Sequence, residues 1–269
     1  MTPHAPYTPA SDEGVPIETR NGSFLARRFA TDRPAGLRLT VVALIGSAGL
    51  VAFLILASAA GTGVGVDEGS AVLRDHARDN PVILVVGLAA TAVGSVWAIG
   101  ALALAVGAAL ARRRRFDLLA CWLLGLAGGG LVCEVLKWAV GRSRPVFPNP
   151  VAAGRGPSFP SGHTFGAVVC FGLLAYLSVR TGCSRRTRAA VFGAAAALVT
   201  AVGLSRLALG VHYTTDVLAG YAAGVCWLSV WLGAVETLRR MRPQWWAGKF
   251  GEATGEERGR AGTRGTTCR

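Results

Sequence analysis

The sequence predicts an all-α integral membrane protein, a helical bundle of six transmembrane helices with both termini in the cytoplasm. The first supporting observation is composition: 52% of the 269 residues are hydrophobic and only 16% are charged, against roughly 25% charged residues in soluble domains. The second is a series of six long apolar stretches. The third is the way the basic residues are distributed between those stretches.

The six apolar stretches each approach the ~20 residues that a spanning helix needs. They cover residues 39–61, 82–110, 117–137, 163–180, 189–210 and 215–235. The second stretch is long enough to tilt in the bilayer or to fray at one end. Together they define a membrane domain over 39–235, preceded by a disordered cytoplasmic tail at 1–38 and followed by a basic cytoplasmic tail at 236–269.

Smaller features lie within this domain. Two G-x-x-x-G patterns, at 125–129 and 220–224, predict close packing between helices. An acidic segment at 66–80 is interpreted as a short interfacial helix, and the sequence assigns it no role. The six cysteines include no C-x-x-C pair and fall mostly inside apolar runs, which favours small core residues over disulfides or a metal site.

The basic residues predict the orientation of the bundle. With the N-terminus inside, the cytoplasmic side holds 21 of the 28 lysines and arginines: five in 1–38, four in 112–115, four in 180–188 and eight in 236–269. This is the positive-inside bias of multi-pass membrane proteins. The net charge of +13 is therefore a topology signal. The four arginines at 112–115 lie in a short loop between spans and are not interpreted as a nucleic-acid-binding element.

With this topology, three polar motifs meet at the outer face. They are "KWAVGRSRP" at 137–145, "PSGH" at 160–163 and "SRLALGVHYTTD" at 205–216. The three lie far apart in sequence but at one membrane depth, because each flanks the outer end of a predicted span. A shared site at this depth is therefore expected.

The cations of these motifs indicate an anion site. Lys137, Arg144 and Arg206 have almost no carboxylate near them in sequence, and such a cluster repels itself unless an anion such as phosphate binds it. Ser161 and Gly162 open a helix, where unpaired backbone N–H groups and the helix dipole favour an anion. The simpler interpretation of Ser161 is an ordinary helix cap.

The histidines add a chemical function to this anion site. His212 and Asp216 are four residues apart, so on a helical turn they share a face. A carboxylate that accepts from one ring nitrogen leaves the lone pair of the other facing outward, as a nucleophile needs. His163, in the second motif, could then protonate a leaving oxygen.

These residues resemble a known family. The patterns are Lys137-x6-Arg144-Pro145, Pro160-Ser161-Gly162-His163 and Ser205-Arg206-x5-His212-x3-Asp216. Their order and completeness are similar to the three-part signature of the type-2 phosphatidic acid phosphatase superfamily. That superfamily also includes vanadium-dependent haloperoxidases and glucose-6-phosphatase-like enzymes. The resemblance covers about residues 39–235.

The resemblance implies a role for each matched residue. His212 would attack phosphorus and form a phosphohistidine, Asp216 would orient it, and His163 would protonate the leaving oxygen and later activate water. The remaining matched groups would hold the phosphate oxygens: Lys137, Arg144, Arg206, the Ser161 hydroxyl and the Gly162 N–H. Three cations would then supply the charge stabilisation that phosphoryl transfer needs, with no metal and no other cofactor.

The predicted function is hydrolysis of a lipid phosphate or pyrophosphate at the outer leaflet of the plasma membrane. Candidate substrates are undecaprenyl pyrophosphate, another prenyl pyrophosphate, phosphatidylglycerol phosphate and phosphatidic acid. A phosphotransferase that uses the same phosphohistidine stays open, as does a phosphate-binding or transport protein. A binding or transport protein would leave His163 and the His212–Asp216 pair without a function. Six spans suit a lipid substrate better than haloperoxidase chemistry.

Overall fold

A computed structural model describes residues 33–60, 67–146 and 156–241. In these ranges it contains eight helices and no strand, which confirms the all-α prediction. The helices are α1 (Arg33–Ala59), α2 (Glu68–Asp79), α3 (Pro81–Val93), α4 (Val96–Arg112), α5 (Phe116–Val140), α6 (Gly162–Arg180), α7 (Arg185–Ala208) and α8 (Thr214–Met241).

The chain divides into two units, Met1–Thr40 and Val41–Arg269. Of the first unit, the structure describes only the start of α1, and the second unit contains every other helix. Most of the two predicted tails lies outside the described residues. The terminal helices reach into both tails, since α1 begins at Arg33 and α8 ends at Met241.

The helices suit a multi-pass membrane protein. Among the described residues, five helices are long and apolar enough to cross a bilayer, and α3 and α4, bent by 47° at their junction, make a sixth if the pair is taken as one span. Six spans were predicted, but the second is broken instead of merely tilted. The break has a local cause: the Ser95 hydroxyl accepts from the N–H of Ala98 at 3.2 Å and starts α4 anew. At Gly94, a Cβ would lie 2.5 Å from Val202, so α7 packs directly against the break.

Helix α6 occupies the centre of the bundle. In the most apolar 18-residue segment of α6, 61% is buried inside the protein, whereas the corresponding segments of the other single-helix spans are 17–33% buried. Both G-x-x-x-G predictions describe close contacts with neighbouring helices. A Cβ on Gly220 would lie 2.8 Å from the Ser161 carbonyl oxygen at the start of α6, and one on Gly125 would lie 2.6 Å from the Trp231 indole nitrogen of α8. Side chains at these glycines would force the helices apart.

Two left-handed glycines turn the chain at one end of the bundle. Gly141 (φ +63°) ends α5, and its N–H donates to the carbonyl of Lys137 at 2.9 Å. Gly210 (φ +66°) follows α7, and the next N–H, that of Val211, donates to the carbonyl of Arg206. These turns direct both loops toward the starts of α6 and α8. We call this end, where α5 and α7 finish and α6 and α8 begin, the site end.

Candidate active site

The His212–Asp216 pair lies at the start of α8. The Nδ1 atom of His212 is 3.3 Å from Oδ2 of Asp216, and the two side chains are 2% and 0% exposed. The prediction placed both on one helical turn, but only Asp216 is helical, and His212 lies just before α8. The backbone N–H of Tyr213 also donates to Oδ2 of Asp216 at 3.0 Å, as acidic residues in a first turn commonly accept.

The other ring nitrogen of His212 faces Arg144. Nη1 of Arg144 is 3.1 Å from Nε2 of His212 and donates to the carbonyl of Val211 at 2.9 Å. Because Asp216 accepts from Nδ1–H, Nε2 carries the lone pair and accepts from Arg144. Burial lowers the pKa of His212 to about 4; the positive charge of Arg144 adds to this effect, and the hydrogen bond to Asp216 opposes it. The imidazole is therefore neutral at pH 7.

The start of α6 closes over the same place. The buried Ser161 donates its backbone N–H to the carbonyl of Asp216 at 3.0 Å, and this bond joins the starts of α6 and α8. Its hydroxyl accepts from the hydroxyl of Thr164 at 3.0 Å and makes no cap bond to a backbone N–H. The simpler interpretation of Ser161 as a side-chain cap therefore does not match its contacts.

Lys137 reaches the start of α6 from the end of α5. A Cβ on Gly162 would lie 3.2 Å from its ammonium nitrogen, so the glycine lets the cation approach the α6 backbone. The same ammonium pairs with Glu134 at 2.7 Å. The expectation that almost no carboxylate lies near the cations is thus wrong for Lys137, because Glu134 precedes it by one helical turn. That carboxylate is 59% exposed.

Arg206 is buried in the last turn of α7. Its Nη1 donates to the hydroxyl of Thr91 in α3, and its Nε is buried without a hydrogen-bond partner in the described part of the chain. His163, in the first turn of α6, lies within electrostatic range of Arg206 and of three other candidates, Lys137, Arg144 and His212. The fold thus gathers all eight sequence-predicted residues at the site end.

Two residues of the site were missed by sequence reasoning. Arg142 bonds both Asp216 and Asp67, and its guanidinium carbon lies 4.1 Å from the centre of the Tyr213 ring. Burial opposes the charge of Arg142, but the hydrogen bonds and charges of Asp67 and Asp216 outweigh burial and raise its pKa. Asp67 belongs to the acidic segment at 66–80, which was assigned no role. No spacing rule links a residue to one about 75 positions away.

The composition of the site is cationic and imidazole-based. Within the described ranges, no three His, Cys, Asp or Glu side chains are grouped as a metal ion would need. Of the five cysteines described there, Cys121, Cys133 and Cys170 are buried, and none forms a disulfide. The donors gathered here therefore suit an anion.

Comparison with known proteins finds a family and two relatives that fit this arrangement. The family profile of the PAP2 superfamily matches residues 118–240, a region that contains all three motifs. Over these residues the chain is similar to the PAP2 superfamily. A curated relative, phosphatidylglycerophosphatase B of Bacillus subtilis (strain 168), is 34% identical over 113 residues. That match covers 42% of this chain and 55% of the relative, so it spans about half of the relative's length.

A solved PAP2 structure is similar to this chain over a region larger than the three motifs. The crystal structure of a transmembrane PAP2 type phosphatidylglycerolphosphate phosphatase from Bacillus subtilis is similar with a TM-score of 0.64 and 29% sequence identity. The similarity covers 73% of this chain and 98% of that one. Arg142 lies inside the region matched by the PAP2 profile, whereas Asp67 lies before it.

Proposed function

We propose that this protein is an integral-membrane phosphatase that hydrolyses a lipid phosphate or pyrophosphate through a phosphohistidine on His212. One observation carries the proposal: a buried, neutral imidazole is held by Asp216 at Nδ1 and presents Nε2 to a guanidinium 3.1 Å away. A phosphate oxygen bound by Arg144 would bring phosphorus next to that lone pair. Such placement is what nucleophilic attack requires.

The proposed reaction has two steps. In the first, Nε2 of His212 bonds to phosphorus, the bond from phosphorus to the ester or pyrophosphate oxygen breaks, and protonated His163 gives that oxygen its proton. In the second, His163 takes a proton from water, the water oxygen bonds to phosphorus, and the N–P bond breaks to release phosphate. The position of His163 in the first turn of α6, within electrostatic range of His212, supports this exchange of acid and base roles.

The remaining candidate residues are proposed to hold the phosphate oxygens without a metal. The unpartnered Nε of Arg206 is a buried donor whose satisfaction by an oxyanion would stabilise the bound state. Lys137 lies over Gly162, where the first N–H groups of α6 would also be available to a bound anion. A bound phosphate would draw Lys137 away from the exposed Glu134. The Ser161 hydroxyl completes the proposed set.

The substrate is proposed to be a lipid because the site lies where four helices of a membrane bundle start or finish. A lipid tail could remain in the bilayer while its headgroup reaches the cations. The positive-inside distribution supports an outer-leaflet site in the plasma membrane with cytoplasmic termini. Both relatives carry phosphatidylglycerophosphate in their names, so phosphatidylglycerol phosphate is our first candidate. Undecaprenyl pyrophosphate and phosphatidic acid follow.

The test is phosphate release by the purified full-length protein from these three lipids in detergent with excess EDTA. His212→Ala is assayed in parallel, and Asp79→Asn, an exposed change at the end of α2, serves as the matched control. We expect release from at least one lipid in EDTA, retained in the control and lost in His212→Ala. Release that needs a metal, or that survives His212→Ala, would contradict the mechanism. Turnover only after addition of an alcohol acceptor would identify a transferase instead.

A further inference from the structure

Arg142 lies between two buried carboxylates behind His212. Its Nη1 donates to Oδ1 of Asp216 at 2.8 Å and to the hydroxyl of Thr215 at 2.7 Å. Its Nη2 donates to Oδ2 of Asp67 at 2.7 Å. The Arg142 side chain is 12% exposed, Asp67 is 9% exposed and Asp216 is fully buried. Both terminal nitrogens of Arg142 are therefore already bound within the protein.

Asp67 holds the start of α8 from the segment that precedes α2. Its Oδ1 accepts from the backbone N–H of Thr215 at 3.0 Å and from the hydroxyl of Thr215 at 2.8 Å. An N–H in a first helical turn has no partner within its own helix, and Asp67 supplies one from 148 residues away. The residue after Thr215 is Asp216, so Asp67 fixes the backbone that carries the partner of His212.

We propose that Asp67 and Arg142 are positioning residues that fix Asp216, and through it His212, without contacting the substrate. Arg142 occupies Oδ1 of Asp216, so Oδ2 faces the imidazole and the carboxylate cannot rotate about its own axis without breaking a buried charge-assisted bond. The catalytic part of this proposal rests on the phosphohistidine mechanism proposed above. Mutation of a residue that orients a metal-ligating histidine from behind typically costs roughly 10- to 100-fold in activity, and we expect the same scale for a nucleophilic histidine.

Arg142 and Arg144 therefore have different roles although only one residue separates them. Arg144 contacts Nε2 of His212, the atom that would meet phosphorus, whereas Arg142 contacts the carboxylate on the opposite side of the ring. Loss of Arg144 should weaken phosphate binding. Loss of the Arg142 bridge should instead slow the chemical step and leave phosphate binding in place.

Steady-state kinetics of the full-length protein separate these two roles. The variants are Asp67→Asn, Arg142→Lys and Arg144→Lys, with Asp79→Asn as the control, and inorganic phosphate is used as a competitive inhibitor. For Asp67→Asn and Arg142→Lys we expect kcat to fall roughly 10- to 100-fold, with KM and the phosphate Ki changed by about twofold or less. Arg144→Lys should raise KM and the phosphate Ki. An unchanged kcat in Asp67→Asn, or a weaker phosphate Ki with kcat retained, would overturn the proposal.

A melting-temperature cycle tests the link without any turnover. It compares Asp67→Asn, Arg142→Lys and the double variant. If the residues act as one unit on Asp216, the double variant melts no lower than the worse single variant. Additive losses would overturn the proposal even if the enzyme is active. If the wild type releases no phosphate from any lipid, the proposed function fails, while this cycle still decides whether Asp67 and Arg142 are coupled.

Discussion

Among the described residues, both ends of the bundle bury an arginine, but only the one at the end opposite the site, Arg239, has a carboxylate partner, whereas Arg206 at the site end has none. At the end opposite the site, Arg239 pairs with Asp117 at 2.9 Å, and the Tyr176 hydroxyl donates to Glu236 at 2.5 Å. Arg115 adds a longer contact to Asp117. These bonds join α5, α6 and α8, and each cation named here has a carboxylate partner.

The site end has a different charge balance. Arg206 is buried with no carboxylate partner among the described residues, and Lys137 has only an exposed carboxylate beside it. The one fully buried carboxylate, Asp216, is already bound by Arg142 and His212. Burying uncompensated charge is costly, so a fold retains it where a ligand supplies the missing partner. The comparison therefore separates ion pairs that hold helices together from cations that we propose bind an anion.

Neutralising one carboxylate at each end should produce the largest contrast. We expect Asp216→Asn to lower kcat by roughly 10⁴-fold, the loss seen when the acid that orients a catalytic histidine is neutralised. Asp117→Asn should leave kcat within about twofold but lower the free energy of unfolding by about 1–3 kcal/mol, because the buried Arg239 loses its carboxylate partner. Kinetics and thermal unfolding of both variants check this. A large loss of kcat in Asp117→Asn would contradict the distinction between the two ends of the bundle.

Arg206→Met tests whether the buried guanidinium of Arg206 supports activity without adding to the stability of the protein. Removal of one preorganised donor to the transferred group should lower kcat by roughly 10²- to 10³-fold. The melting temperature should stay the same or rise, since the variant removes a buried donor that has no partner. Loss of stability together with activity would instead indicate that Arg206, through Thr91, is mainly a structural contact between α7 and α3.

Gly162→Ala should give a smaller effect. The added methyl would lie 3.2 Å from the Lys137 nitrogen and 3.4 Å from its Cε, and a flexible side chain can withdraw by that amount. We expect KM to rise, because both the ammonium and the α6 N–H groups become less accessible to phosphate. A several-fold rise in KM with an unchanged melting temperature supports this placement. A change in kcat alone would contradict it.

The smallest effect is expected from pH. The pKa of His212 is lowered to about 4, first by burial and then by Arg144 and Arg206, against the opposing effect of Asp216. The nucleophile is the neutral form, so protonation of His212 should lower kcat/KM only as pH falls through about 4. Between pH 7 and 5.5 His212 itself should contribute a change of about twofold or less, apart from the protonation that His163 needs as the acid. The ionisation of the substrate is measured by ³¹P NMR, and its contribution to the pH dependence of kcat/KM is removed. An acid limb of His212 near 6.5 would contradict the buried environment.

The sequence predicted the helices and marked out the eight candidate residues that the fold brings to one end, because both leave local patterns. Apolar runs mark the spans, and the three motifs each sit within a dozen residues at a span end. The break between α3 and α4 was not anticipated, since a glycine and a serine in an apolar run are compatible with a continuous helix. His212 was placed on a helix by its spacing to Asp216, but Gly210 turns the chain before α8 begins.

The contacts of Arg142 and Asp67 could not be predicted in the same way. Arg142 stands in the first motif beside Arg144, and only the folded loop shows that one faces the imidazole and the other the carboxylate behind it. Asp67 meets Thr215 across 148 residues, a contact set by how α2 is placed in the bundle. Long-range polar partners of this kind follow from tertiary packing, which periodicity and spacing do not encode.

The most direct test of the account is to trap the covalent intermediate. Wild-type protein and His212→Ala are mixed with phosphatidylglycerol phosphate labelled with ³²P at its terminal phosphate, quenched in alkaline detergent and digested for mass spectrometry. We predict label on the peptide that contains His212, stable in alkali and released by acid, and no label in the variant. Rapid phosphate release from the wild type with no labelled histidine, or with label on another residue, would contradict the central claim.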